Sequence, residues 1–423
     1  MNNWQRLHDL KLSDLDLDQE DRKILQSLAG KLQNNYPYDK REYAGQMIKP
    51  AHPLAQAAVW MTSLVNPNNH ALDGGKATSA LELEVIESLA KMIGFTSHLG
   101  HLTSGGTIAN LEALWVARQS NPSTVVLANE LAHYTHSRMS EVLGIPFEAL
   151  PADAEGKICM KQLIPILERY RNDGIRPTLV VTMGTTGMGR IDPLDEIIAL
   201  KNTYNFRIHA DAAYGGYFKI TSLSANASKA FEALHLADSV VIDPHKHGLQ
   251  PYGCGAVIFN NPEVGRFYKH DSPYTYFTSS ELHLGEITLE CSRAGATAAG
   301  VWAALKKFPL QREGEFSKRL TKSLYAALGL HQAALQRGLW SLPPELDICV
   351  FSKPGSKASQ ISALNRAFFE KKAIEGIHLA LFKLQPEQCP WELEWDTPTL
   401  VVVRSVLMKP EHDDPIFWEA VLD

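Results

Sequence analysis

Residues 237–257 read ADSVVIDPHKHGLQPYGCGAV. The short β-branched run Ser239–Ile242, bounded by polar residues, has the signature of a buried strand. A second run, 254–260, reads as another. Between them the chain delivers Asp243, His245 and Lys246 into a loop. Ligands of open α/β sheets bind outside the carboxyl ends of the strands, so this loop is a place to look for chemistry. A lysine buried there can lose its proton and become a nucleophilic amine able to form a Schiff base. A solvated surface lysine has the same local sequence, so the loop alone leaves both readings open.

The same strand-then-loop pattern recurs upstream. RIHADAAYGGYF (207–218) is a strand ending in Asp211, followed by Ala212 and Ala213. A strand-end carboxylate beside small residues leaves a flat space and can pair with a ring nitrogen; an ordinary turn aspartate looks alike. VTMGTTGMGRIDPLDEI (181–197) is a strand, a Gly/Thr loop containing Thr185, then a helix. NELAHYTHSRMSEVLG (129–144) places His133 after a strand at 124–128, near a helix start. HLTSGGTIANLEALWVAR (101–118) sets Ser104, Gly105, Gly106 and Thr107 before a helix spanning 107–119. Free amides and the positive helix end favour an anion there, although a plain N-cap uses the same residues. No lysine follows the glycines and no G-x-G-x-x-G is present, which disfavours a Walker A loop and a dinucleotide fold. A helix over 78–93 is predicted with a capping box from Ser79 to Glu82, an apolar stripe of Ile86, Leu89 and Ile93, and a stop at Gly94.

The wider chain of 423 residues is 45% hydrophobic and 21% charged, the balance of a globular protein. Its net charge of −6 gives no footprint for nucleic acid. No apolar stretch approaches the ~18 residues of a membrane span, and the N-terminus lacks the apolar core of a secretory signal. Five cysteines argue against a disulfide framework. H-E-x-x-H, C-x-x-C and EF-hand patterns are missing, so no metal is expected, and there is no G-x-S-x-G elbow. The expectation is a cytoplasmic globular protein with neither nucleic acid nor membrane as partner. We expect an N-terminal arm at 1–48 and a large α/β domain at 49–305, its mostly parallel sheet covered on both faces. A small α+β domain at 306–423 contains DICVFSK and TLVVVRSVLM as strands.

In their order, the SGGT turn, His133, the GTT loop, DAAYGG and DPHK resemble the group II pyridoxal-phosphate-dependent amino-acid decarboxylases. The similarity is greatest to the bacterial and archaeal tyrosine/aspartate branch, through NPNNHALDGG, LTSGGTIANLEALWVAR and DPHKHGLQPYGCG. It covers residues 36–310, and the C-terminal third only through VVVRSVLMKP. The resemblance implies the aspartate-aminotransferase fold (fold type I): a seven-stranded, mostly parallel sheet with a small C-terminal α+β domain. It further implies pyridoxal 5'-phosphate as cofactor, an amino-acid substrate, and a homodimer with active sites at its interface. Lys246 matches the lysine that carries the cofactor, and Asp211 the carboxylate on its ring nitrogen. Ala213 and His133 match the residues on its two ring faces. Gly105, Gly106 and Thr107 match the phosphate turn. Thr185 matches the threonine near the ring substituents, and His245 the histidine before the lysine. Tyr252 matches a proton-delivering tyrosine, with His245 as an alternative donor. Arg404 matches an arginine that holds the substrate carboxylate, and His52, in the 44–71 segment, a pocket residue.

Two positions depart from the pattern. His247 stands where relatives often carry Trp, Met or Tyr. Asp243 stands where some carry Asn, and its carboxylate would repel a phosphate unless turned away. The stretch 271–285 resembles a shortened catalytic loop, with Tyr274 and Tyr276 as further candidate donors. The implied activity is release of carbon dioxide from an L-amino acid, aromatic such as tyrosine or acidic such as aspartate or glutamate, to give an amine. The alternatives are a carbon–carbon lyase or aminotransferase using the same cofactor, and a cofactor-binding protein without turnover.

Overall fold

The computed structural model describes residues 17–269 and 288–423; Tyr274 and Tyr276 lie outside them. Seven strands form the larger sheet: β1 (Leu99–Thr103), β2 (Val126–Asn129), β3 (Phe147–Leu150), β4 (Thr178–Thr182), β5 (Arg207–Asp211), β6 (Ser239–Ile242) and β7 (Gly255–Phe259). Their order is β1-β7-β6-β5-β4-β2-β3. All neighbours pair in parallel except those of β7, which runs against both β1 and β6. The sheet is therefore mostly parallel, as expected. β4 and β6 are buried along their whole length, which is why they read as unbroken apolar runs rather than alternating ones.

Two strands escape the sequence reading. β3 is a half-buried edge strand, and β1 carries a glycine and a histidine within five residues. Gly100 is required there, since a Cβ would lie 2.7 Å from the Val257 carbonyl oxygen on β7. The strand expected at 124–128 is displaced to Val126–Asn129.

The helix expected at 78–93 runs from Leu72 to Ile93, with a non-helical Gly75 near its start and Gly94 closing it at φ +100°. The Ser79–Glu82 capping box does not form, because both residues are interior. Glu82 instead accepts from Asn69 Nδ2 at 2.7 Å and the Leu102 amide at 2.8 Å, and pairs with Arg293 at 2.6 Å. A carboxylate with a buried cation and two further donors is better satisfied there than by one amide of its own helix.

The smaller sheet is antiparallel, in the order β10-β11-β9-β8, from β8 (Trp340–Leu342), β9 (Ile348–Ser352), β10 (Ala380–Leu384) and β11 (Leu400–Val406). β9 and β11 are the two strands read from sequence. Helix Glu315–Gln336 packs on this sheet, and the boundary drawn at 305/306 falls inside the last turn of helix Gly295–Lys307. Among the described residues no helix is long and apolar enough to cross a membrane, and no cluster of three or more His, Cys, Asp or Glu could hold a metal ion.

Candidate active site

The carboxyl ends of β4, β5 and β6 are brought level by their register, in which Thr182 lies beside Asp211 and Asp211 beside Val241. Above them opens a cavity of about 360 Å³, whose lining includes Gly105, Gly106, His133, Asp211, Ala213 and Lys246. Residues drawn from five separate motifs thus meet in one place.

Asp211 forms the floor. His136 Nε2 lies 2.8 Å from its Oδ2, and the Ala213 amide donates to Oδ1 at 3.1 Å. Burial by itself would raise its pKa, but the His136 hydrogen bond and charge, helped by Lys246, hold it well below the usual carboxylate range. Asp211 is therefore a buried anion at neutral pH. His136 was not singled out in the sequence. It stands three residues after His133, in the first turn of helix Thr135–Leu143, and no local pattern marks it as the partner of Asp211.

Lys246 Nζ lies 3.2 Å from Asp243 Oδ2, and His245 Nε2 lies 3.5 Å from the same oxygen. Asp243 is not turned away from the glycine turn: a Cβ on Gly106 would fall 2.6 Å from its Oδ2. The positive end of helix Gly106–Ser120 and Lys246 together offset that charge. The loop's affinity for anions is visible at Ser104, whose amide donates to Glu290 Oε2 at 2.9 Å.

His133 precedes its helix, its Nδ1 accepting from the Thr135 amide at 3.2 Å; burial lowers its pKa, so the ring is neutral at pH 7. In the GTT loop it is Thr186 that lines the cavity, whereas the Thr185 hydroxyl faces inward and accepts from the Arg190 amide at 2.9 Å. His245 stacks on Tyr252 at 4.5 Å, and the Tyr252 hydroxyl donates to the Met47 carbonyl at 2.6 Å. Burial raises the Tyr252 pKa to about 12, so this hydroxyl keeps its proton at neutral pH. Arg404 is buried, its guanidinium donating to the carbonyls of Gly45, Thr186 and Gly187 at 2.6–3.2 Å. His52 caps helix Pro53–Ser63 and lines a different cavity. The structure thus groups most of the expected residues, but leaves His52, Thr185 and Tyr252 off the lining of this cavity and shows Arg404 bonded to backbone.

Three polar atoms at the cavity, Thr135 Oγ1, Thr182 Oγ1 and Asp243 Oδ1, are buried without a hydrogen-bond partner among the described residues. Buried polar groups are normally satisfied, so the cavity suits a polar ligand. Its glycine turn at a helix N-terminus fits a phosphate, its anionic floor fits a protonated ring nitrogen, and its lysine fits an aldehyde. Gly106→Ala is expected to weaken cofactor binding at least about fivefold, because the added methyl overpacks against Asp243, a cost of roughly 1–3 kcal/mol. Titration of the apo chain with pyridoxal phosphate checks this; an unchanged dissociation constant would count against the turn.

This fold and these groups define a pyridoxal-phosphate site. Residues 40–329 match the family model described as the pyridoxal-dependent decarboxylase conserved domain, and the chain belongs to that family. It is 29% identical to an L-tyrosine decarboxylase of Enterococcus faecium over 67% of this chain and 62% of that protein. It is 32% identical to an aspartate 1-decarboxylase of Aliivibrio fischeri over 55% of this chain and 49% of that one. The matches thus span from about half to under two thirds of those relatives' length. The fold is shared with the crystal structure of Oryza sativa TDC with PLP and tryptamine, at a TM-score of 0.83 and 14% identity, covering 98% of this chain and 90% of that one.

Proposed function

We propose that this protein is an amino-acid decarboxylase that uses pyridoxal phosphate to release carbon dioxide from an L-amino acid. The observation that carries the reading is Asp211, a buried anion braced by His136 and facing the same cavity as the Lys246 amine. When bound, the cofactor supplies an electron sink for the pair left behind by departing carbon dioxide. Asp211 would hold a proton on the ring nitrogen and so keep that sink effective. Lys246 would hold the cofactor through its amine. His133 and Ala213 would border the ring, and the amides of Gly106 and Thr107 would hold the phosphate. Tyr252, still protonated at neutral pH, or His245 beside it, returns a proton to carbon. The relatives' names support an aromatic or an acidic substrate for this chain.

The test is carbon-dioxide release from each of the twenty amino acids by the purified protein with added cofactor. Release from one of them names the substrate; none, from a chain that binds cofactor, would sink the reading in favour of a lyase, an aminotransferase or a silent binder. Tyr252→Phe removes the hydroxyl and keeps the ring on His245. We expect kcat to fall by about 10²-fold, the low end for a positioned general acid, with KM little changed. A wild-type kcat would pass the role of donor to His245.

We also propose that the chain acts in the cytoplasm as a homodimer. Its five cysteines are all unpaired, as suits a reducing compartment. Trp60, Met61, Leu64 and Val65 are each more than half exposed along and just after helix Pro53–Ser63, a cluster of apolar surface that association would cover. Sedimentation should give twice the 46.9 kDa chain mass, and Trp60→Glu should shift the population to monomer.

A further inference from the structure

His247 directly follows Lys246, yet it lines a second cavity, of about 170 Å³, with Lys49. It is fully buried. Its ring is held edge-on between Tyr214 and Phe218, with centroids 4.9 Å away on each side. Lys49 Nζ lies 3.4 Å from its Nδ1, and Asp347 Oδ2 lies 3.2 Å from its Nε2, in close polar contact but outside hydrogen-bond alignment, with no other partner for either atom among the described residues. The other Asp347 oxygen accepts from the Tyr214 hydroxyl at 2.5 Å. Tyr214 in turn lines the Lys246 cavity.

The chemistry of this row has one consistent assignment. A lysine ammonium only donates, so Nδ1 accepts from it and the imidazole proton sits on Nε2, facing the Asp347 carboxylate. Burial lowers the His247 pKa, which keeps the ring neutral. Burial also opposes the Asp347 charge, but His247, Tyr214 and Lys49 outweigh it and hold the carboxylate ionised. The four residues come from three parts of the chain. Lys49 belongs to the N-terminal approach, Tyr214 and His247 to the large sheet's strand-end loops, and Asp347 directly precedes β9 of the small sheet.

We propose that His247 is a positioning residue of this site: bridging Lys49 and Asp347, it ties the Lys246 loop and Tyr214 to the C-terminal sheet, and so sets the geometry in which both meet the bound cofactor and substrate. The proposal rests on the cofactor reading above. Misplacement of reacting groups by as little as about 1 Å can cost about 10²-fold in rate, so a brace one residue from Lys246 matters although it touches no substrate.

The test compares His247→Leu, His247→Gln and Asp347→Asn as holoenzymes. One readout is the visible circular dichroism of the bound cofactor at equal occupancy, which reports its orientation and needs no turnover. The other is the split between kcat and KM. His247→Leu should lose at least half of the dichroic amplitude and about tenfold or more in kcat, with KM within about threefold. His247→Gln, which can still donate towards Asp347, should recover most of both. Asp347→Asn keeps the side-chain shape and should move both readouts as leucine does, which covers the case in which His247→Leu fails to fold. Wild-type dichroism and kcat in the leucine or asparagine variant, or glutamine no better than leucine, would overturn the proposal. A wild type that binds cofactor but releases no carbon dioxide sinks only the decarboxylase reading, and the dichroism still decides this one.

Discussion

Lys246→Ala is expected to abolish both borohydride-fixable cofactor and carbon-dioxide release. Among the described residues, Lys246 supplies the only lysine amine lining the cavity that holds Asp211 and the glycine turn. In the proposed role, its loss would remove both the amine that holds the cofactor and an acid–base group at once. A positioned acid–base group alone is typically worth about 10²–10⁴-fold, so the combined loss should exceed that range. Phosphate and ring contacts remain, so the variant should still bind the cofactor reversibly. Dialysis would then remove it, whereas wild type should retain it after reduction. A variant that keeps more than about a hundredth of the wild-type rate would place the chemistry elsewhere.

Asp211→Asn is the second large effect, and it acts without changing shape. The carboxylate is held ionised in a buried setting by His136 at 2.8 Å. An amide in its place accepts one fewer charge-assisted bond and cannot stabilise a proton on a ring nitrogen. By analogy with removal of one preorganised electrostatic group, kcat should fall by about 10²–10³-fold. The linkage to stability has a definite sign. The folded-state pKa of Asp211 is depressed, so its contribution is present above the ordinary carboxylate pKa, roughly 4, and is lost as pH falls through the folded value. Wild type should therefore lose stability with acid below about pH 4 more steeply than Asp211→Asn. Equal kcat in the two proteins would remove Asp211 from the electron-sink role, and equal acid slopes would mean its charge is not held as the geometry indicates.

The residues readable in the sequence share a property: their meaning is local. Gly106 before a helix, Asp211 at the end of an apolar run and Lys246 in a strand-end loop each carry a backbone context within a few positions. The strands β4 and β6 were legible for the same reason, since burial on both faces leaves an unbroken run rich in β-branched residues. Edge strand β3 and glycine-bearing β1 carry no such run, and their partners alone define them.

Elsewhere the folded surroundings decide what local spacing leaves open. Ser79 and Glu82 have capping-box spacing, but the carboxylate belongs to Arg293, which no local pattern can announce. Thr185 and Thr186 are indistinguishable as neighbours, and only the turn of the GTT loop decides which hydroxyl meets the cavity. The guanidinium of Arg404 is met by the carbonyls of Gly45, Thr186 and Gly187, all remote in the chain.

By itself, then, the sequence determined the strand-and-loop grammar, the order of the motifs and the side chains able to do the chemistry, because these depend on periodicity and on neighbours along the chain. Only the tertiary structure decided what surrounds each of them. His136 beneath Asp211, and Asp347 against His247 and Tyr214, are contacts between segments far apart in the chain. The physical reason is that charge state and orientation follow from burial and partner distance, and both exist only after the chain has folded.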